Sequence, residues 1–252
     1  MKDCTVRFGS GTASVGSGIA VSLENLGDCA EYVVKVDLPE FGYSSDAAVK
    51  ADRLGVFDAV VSIPDAPIPA AALYDAVVYA VSGDYVSPRR KTKITIIPKG
   101  WFDSADDALS DRIMKSVPSA DCGGKRRSVF EDASEIYEKI SWMTLEESEG
   151  GRYFRVRPRK EVYDNDGGTE IDLAMLYAAE MGARGHHCKL FLSPEGAFVG
   201  ASAESDAFPF GYLVVRPSDG CRKVRFGKCC DDSRIRVNAL MKVFKGPKYI
   251  SV

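Results

Sequence analysis

Glu170 and Asp172 stand just behind Gly168 and Thr169, at the head of a long apolar run. Carboxylates there would sit at the positive end of a helix, which favours their charged form. Glu170 is therefore expected to open that helix as an ionised acceptor, with general-base or ligand-binding work as the alternative. Glu195 could approach the same helix end, and two carboxylates about 5 to 9 Å apart would suit glycosidase-like hydrolysis. Asp206 and Cys188 complete the set from which such altered chemistry could be built. His186, His187 and Cys188 are contiguous. Strand neighbours point to opposite faces, so His186 and Cys188 could meet whereas His187 and Cys188 could not. The histidine pair is read as a solvent-facing turn after Gly185. It has no third ligand nearby, and the seven cysteines follow no CxxC…CxxC spacing. Neither a metal site nor a cofactor is expected.

A second group is cationic. Arg152, Arg155, Arg157, Arg159 and Lys160 lie close together, with Tyr153 and Phe154 interleaved. In an extended chain Arg155, Arg157 and Arg159 would share one face, a ribbon that could bind phosphates. Glu146, Glu147, Glu149 and Glu161 dilute that field, and the net charge of the chain is −3. A solvated face or a surface for an acidic protein partner is preferred over nucleic acid, for which no motif is present.

The elements that must position these residues fall into two periods. In the first hundred residues apolar positions alternate: Ala30, Tyr32, Val34, Val36 and Leu38 share one face, and Glu31, Lys35 and Asp37 the other. Further strand-like runs cover 57–63, 76–81 and 93–97, separated by Gly/Asp/Pro/Ser clusters. Short strands at this spacing predict an antiparallel sandwich of immunoglobulin or fibronectin type. From Ser104 the period becomes helical. A short helix is expected to end by Pro118, a loop to run over 116–127, and a second helix to start at Ser128 with Phe130, Ala133, Ile136, Tyr137 and Ile140 inward. A loop follows over 146–151, and then a short strand over 153–156. Thr169 to Asp172 is a capping pattern for a helix with almost no polar face, which Gly185 ends. Strands are predicted at 189–192, 197–201, 212–216 and 223–226, while 234–243 suits strand or helix. The pattern is α+β.

The 252-residue chain is 45% apolar and 27% charged, with no run of 18 or more apolar residues and no signal-peptide core after Met-Lys-Asp-Cys. It is expected to be cytoplasmic, with reduced thiols and no membrane contact.

The stretch 167–200 resembles the core of the bacterial transglutaminase-like (papain-like cysteine peptidase) superfamily. The residues that carry the resemblance are Glu161-Val162, Gly168-Thr169, Asp172-Leu173-Ala174, Leu176-Tyr177-Ala178-Ala179 and Ala197-Phe198-Val199-Gly200. In that family a Gly-Thr-Cys opens the central helix, and a Gly-His-Ala-Phe-Val-Gly strand supplies the base. A thiolate at the helix start is stabilised by the dipole and by the imidazolium, which an acid or amide orients. Here Glu170 stands at the nucleophile and Gly196 at the histidine. Phe154 falls at the oxyanion position, and Asp206 at a distance suited to the orienting acid. The resemblance thus implies a transglutaminase-like scaffold without its chemistry, behind an immunoglobulin-like sandwich. The expected domains are a sandwich over 1–100, a linker with a short helix over 101–127, and the transglutaminase-like domain over 128–252. The expected role is a pseudoenzyme that binds a protein partner or acts as a scaffold in a bacterial or phage multi-protein system. The alternatives are altered chemistry at Glu170 with Glu195, Asp206 or Cys188, or nucleic-acid binding by the Arg152–Lys160 stripe. Glu170, Glu195, Asp206, Arg155, Arg157 and Arg159 are the candidate ligand or partner contacts. No motif specifies an oligomeric state.

Overall fold

The structure, a computed structural model, describes residues 5–8, 12–14, 19–24, 31–50, 56–61, 68–105, 109–115, 128–148, 151–193, 195–203 and 212–243. Asp206 and the expected loop over 116–127 lie outside them. The protein has mixed α+β structure with antiparallel sheets, and the chain divides into two compact units, Met1–Trp101 and Phe102–Val252.

The first unit contains β1 (Thr5–Phe8), β2 (Thr12–Ser14), β3 (Ile19–Glu24), β4 (Glu31–Leu38), β5 (Tyr43–Lys50), β6 (Val56–Val61), β7 (Ala72–Ser82), β8 (Tyr85–Val86) and β9 (Arg90–Ile97). One sheet has the order β1-β3-β6 and the other β2-β9-β7-β4-β5, with β8 added to β7. All pairings are antiparallel except β2 with β9, which is parallel with Thr12 opposite Thr95. The alternation in β4 sets its burial: Tyr32, Val34, Val36 and Leu38 are inside. They share one core with Val21 and Leu23 of β3, Tyr74, Ala76, Val78 and Ala80 of β7, and Ile94 and Ile96 of β9. Because β3 belongs to one sheet and β4, β7 and β9 to the other, the two sheets enclose this core between them.

The second unit takes up the chain within β10 (Trp101–Asp103) and continues with α1 (Leu109–Lys115), α2 (Val129–Ile140), β11 (Thr144–Leu145), β12 (Tyr153–Arg155), α3 (Arg159–Asp164), β13 (Gly167–Gly168), α4 (Glu170–Ala183), β14 (His187–Ser193), β15 (Gly196–Ser202), β16 (Leu213–Val215), α5 (Ser218–Cys221) and α6 (Phe226–Val243). The segment expected as a linker is not one over its described part. β10 pairs with β12, and Ile113 of α1 is fully buried in the second core. The strand expected at 223–226 is also absent: Lys223 takes a left-handed φ of 62° and Phe226 starts α6, which runs on through the ambiguous 234–243.

β14, β15 and β16 form an antiparallel sheet in that order. Leu190, Ala197, Val199, Ala201 and Val215 join α4 and α2 in one cluster, while Phe191, Phe198 and Val214 join Val237 of α6 in another. Both faces of the sheet are covered, so β15 is buried along nearly its whole length and its sequence shows no polar alternation. Sandwiched helix α4 buries Leu173, Ala174, Leu176, Tyr177, Ala178 and Met181, each at most 2% exposed. The helix α2 presents Ala133, Ile136, Tyr137 and Ile140 to this core as expected. Phe130 is 54% exposed instead, and Asp132 takes a buried place.

Candidate functional site

The start of α4 is held by a reciprocal cap. Thr169 Oγ1 accepts from the Asp172 backbone N–H, and Asp172 Oδ2 accepts from the Thr169 N–H at 3.0 Å. Asp172 has no exposed side-chain surface, yet its oxygens are well used. They also accept from the Thr169 hydroxyl at 2.9 Å and the Arg157 N–H at 2.8 Å, and Arg157 Nε lies 3.6 Å away. Gly168 is tight here, since a Cβ would fall within 3.0 Å of the Asp172 side chain.

One residue further on, Glu170 meets the ends of two strands. Its Oε1 accepts from Arg216 Nε, just past β16, and from Ser218 Oγ at 2.9 Å. The Ala197 backbone N–H on β15 adds a third donor. Burial pushes the Glu170 carboxyl up, but these donors, Arg216 foremost, outweigh it and hold the carboxyl below its ordinary range. Arg216 is 11% exposed, lies over the Phe198 ring at 5.7 Å and has Asp219 Oδ1 at 3.8 Å. The pair explains Gly196. A Cβ there would come within 3.0 Å of Glu170 Oε1 and of Arg216 Nε and Nη2, and φ of 143° favours glycine independently. The helix-tip carboxylate and the missing side chain on β15 are thus two consequences of one packed ion pair.

The lowered carboxyl makes Glu170 a poor general acid at neutral pH, and its Oε1 is already an acceptor for Arg216 and Ser218. Glu195 is exposed, and its carboxylate lies 4.0 Å from Arg236 Nε. Phe154 packs on the second core with its ring 6.1 Å from Phe102, and its side chain offers no donor. Burial pushes the Cys188 thiol up to about 12, which leaves almost no thiolate at neutral pH. Its sulfur lies 3.9 Å from the backbone oxygen of His186 while that residue's ring is engaged elsewhere, so the two do not form a dyad.

The expected solvent-facing histidine turn is half wrong. His187 is exposed, but His186 is 5% exposed and its Nε2 lies 2.8 Å from Asp132 Oδ2. Arg184 Nη1 reaches Asp132 Oδ1 at 2.7 Å, and the same guanidinium spans Glu135 at 2.9 and 3.1 Å. Burial raises the Asp132 carboxyl, and the hydrogen bonds from His186 and Arg184 bring it below its usual range. This cluster ties α2 to the turn between α4 and β14. Its sequence signal was an acid at a core-facing position of α2.

The cationic ribbon is not free either. β12 ends at Arg155 and α3 begins at Arg159, so the extended run breaks at Pro158. Arg155 forks onto Glu161 at 2.9 and 2.7 Å, Arg157 pairs with Glu146, and Arg159 reaches Glu180 at 2.6 Å. Arg152 binds Asp103. These carboxylates dilute the field of the ribbon, so a polyanion would have to compete with them at Arg152, Arg155, Arg157 and Arg159. Arg216 and Ser218 are the site residues that sequence reasoning missed. A lone arginine closing an apolar strand before Pro217 was the available signal, since a cation there needs a partner.

No family model matches the chain, and no curated protein matches it. Among solved structures, the sporulation control protein Spo0M of Bacillus subtilis aligns over 96% of each chain at 10% identity with a TM-score of 0.20, a likeness that carries no argument. Among the described residues no group of histidine, cysteine, aspartate and glutamate could hold a metal ion, and no helix is long and apolar enough to cross a membrane.

Proposed function

We propose that the protein is a non-catalytic binding or scaffold module, built from an immunoglobulin-like sandwich and a transglutaminase-like domain whose reactive centre has been replaced by a structural ion pair. The carrying observation is the meeting of Glu170, Gly196 and Arg216 at the tip of α4. In the resembled family the nucleophile, base and orienting group converge from a helix start and neighbouring strands. Here the same kind of convergence delivers a carboxylate and a guanidinium, which neutralise one another, and a glycine that leaves them room. The two mainly antiparallel sheets that share one core of alternating inward residues support the immunoglobulin-like assignment of the first unit. A cytoplasmic place within a bacterial or phage multi-protein system fits the free thiols of Cys188, Cys221, Cys229 and Cys230 and the net charge of −3.

The test has two arms. The purified chain is incubated with a mixed peptide pool and an amine donor, and hydrolysis and acyl transfer are followed by mass spectrometry. No product above the blank is expected. Turnover that disappears in a folded Glu170→Ala variant would sink the reading. In the second arm, the tagged chain is purified from its host, and a stoichiometric protein partner is expected.

A further inference from the structure

Two exposed aromatic side chains mark the ends of α2. Trp142 is 84% exposed and Phe130 is 54% exposed. The chain between α5 and α6 joins them, running antiparallel to α2. Lys223 Nζ lies 5.0 Å from the Trp142 ring centre, Val224 O accepts from the Tyr137 hydroxyl at 2.9 Å, and Phe226 meets Phe130 edge-on at 5.2 Å. The strip is therefore about 18 Å long, the rise of twelve helical residues.

The same segment is rich in cations: Arg222, Lys223, Arg225 and Lys228 are all exposed. Arg222 pairs with Asp219 at 3.3 Å, but Arg225 and Lys228 have no carboxylate partner among the described residues. This contrasts with the matched arginines of β12 and α3. Lys223 is also positioned at a conformational cost. Its φ is 62°, unusual outside glycine, and it is held by N–H donation to Gly220 O at 2.8 Å and by Nζ donation to Ser141 O at 2.7 Å. The strained turn sets an ammonium against an indole that is otherwise largely uncovered among the described residues.

We infer that this strip, centred on Trp142, Lys223 and Arg225, docks an acidic peptide segment that carries an apolar residue for the indole. An exposed tryptophan flanked by cations has the composition of an interface hot spot, and the unmatched charges select carboxylates. The exposed Glu131 and Glu138 on α2 interrupt the positive field. That suits a short peptide with spaced acids and disfavours a continuous polyanion. The inference rests on the protein-binding reading and names its surface.

The experiment is selection of a random 12-residue displayed peptide library on the full chain, followed by titration of the selected synthetic peptides. Trp142→Ala, Arg225→Glu and Lys223→Ala serve as variants, and all three positions are exposed, so folding should survive. Enrichment in Asp and Glu beside an apolar residue is expected. So are affinity loss of at least ten-fold in Trp142→Ala and Arg225→Glu, weakening at higher salt, and a shift of Trp142 fluorescence on binding. Peptides that bind all variants equally would overturn this surface and leave the protein-binding role standing. Selection of no peptide would count against both. A 20-nucleotide oligo(dT) that binds in a Trp142-dependent way, with no acidic peptide binding, would also overturn the inference.

Discussion

Replacing Glu170 with glutamine keeps the shape of the helix tip and removes its charge. The Gln carbonyl can still accept from Ser218, but Arg216 becomes a cation at 11% exposure whose nearest remaining carboxylate is Asp219 at 3.8 Å. Hydrogen bonds to charged groups contribute about 1.5–3 kcal/mol and neutral ones about 0.5–1.5, and unpairing a buried charge costs more. Glu170 is itself 26% exposed, which softens the loss, so about 2 kcal/mol is expected. For a unit of this size that corresponds to a fall of roughly 4–8 °C in its midpoint. Native-state hydrogen exchange across α4, β14 and β15 reads this unit separately from the other. The sign with pH is fixed. Glu170 has a folded pKa below its unfolded value, so its contribution is complete above the unfolded pKa and is lost as pH falls through the folded one. The gap between wild type and Glu170→Gln should therefore be full above the unfolded Glu value of about 4.3 and narrow as pH falls below it. Adding Arg216→Met should recover part of the loss, because the stranded cation is then gone. A Glu170→Gln variant within about 0.5 kcal/mol of wild type at pH 7, or a gap that does not narrow as pH falls below the unfolded carboxyl value, would refute the ion pair as the organiser of this site.

Gly196→Ala should destabilise the second unit by at least about 2 kcal/mol, since both its φ and the Glu170–Arg216 pair oppose a Cβ; chemical denaturation checks this. Thr169→Ala should cost about 1 kcal/mol as a lost cap, and Asp172→Ala about 3 because it strands Thr169, the Arg157 N–H and a guanidinium together. Asp132→Ala leaves His186 and Arg184 without their shared acceptor and should loosen the α4–β14 turn, visible as faster amide exchange at 184–188. The Cys188 thiol, raised to about 12, should react with iodoacetamide at pH 8 on the order of a thousand times more slowly in the native protein than in urea.

Much of the fold is visible in short-range pattern. Alternation in 31–38 specified β4 and its inward face, because side-chain direction in a strand follows from the pleat alone. The cap at Thr169 and the absence of a polar face specified α4 and its burial, because both are properties of a single helix. Failures occur where a neighbour decided. Lys223 to Phe226 has strand-like alternation, yet Tyr137 of α2 and Trp142 just beyond it dock that segment as a turn and helix start. Phe130 has the right helical spacing for the core, but it stays half-exposed against Phe226, and Asp132 is buried where it meets His186 and Arg184. Arg155, Arg157 and Arg159 alternate as a free ribbon would, and carboxylates from α3, α4 and the 146–148 segment neutralise them.

By itself the sequence determined where β4 and α4 lie, where α4 starts, and that its first turn carries a carboxylate. Only the tertiary structure decided that this carboxylate faces Arg216 across a glycine, since their 46-residue separation leaves no periodic trace. Local propensity is written along the chain, whereas charge pairing depends on which strand ends the fold brings to one point.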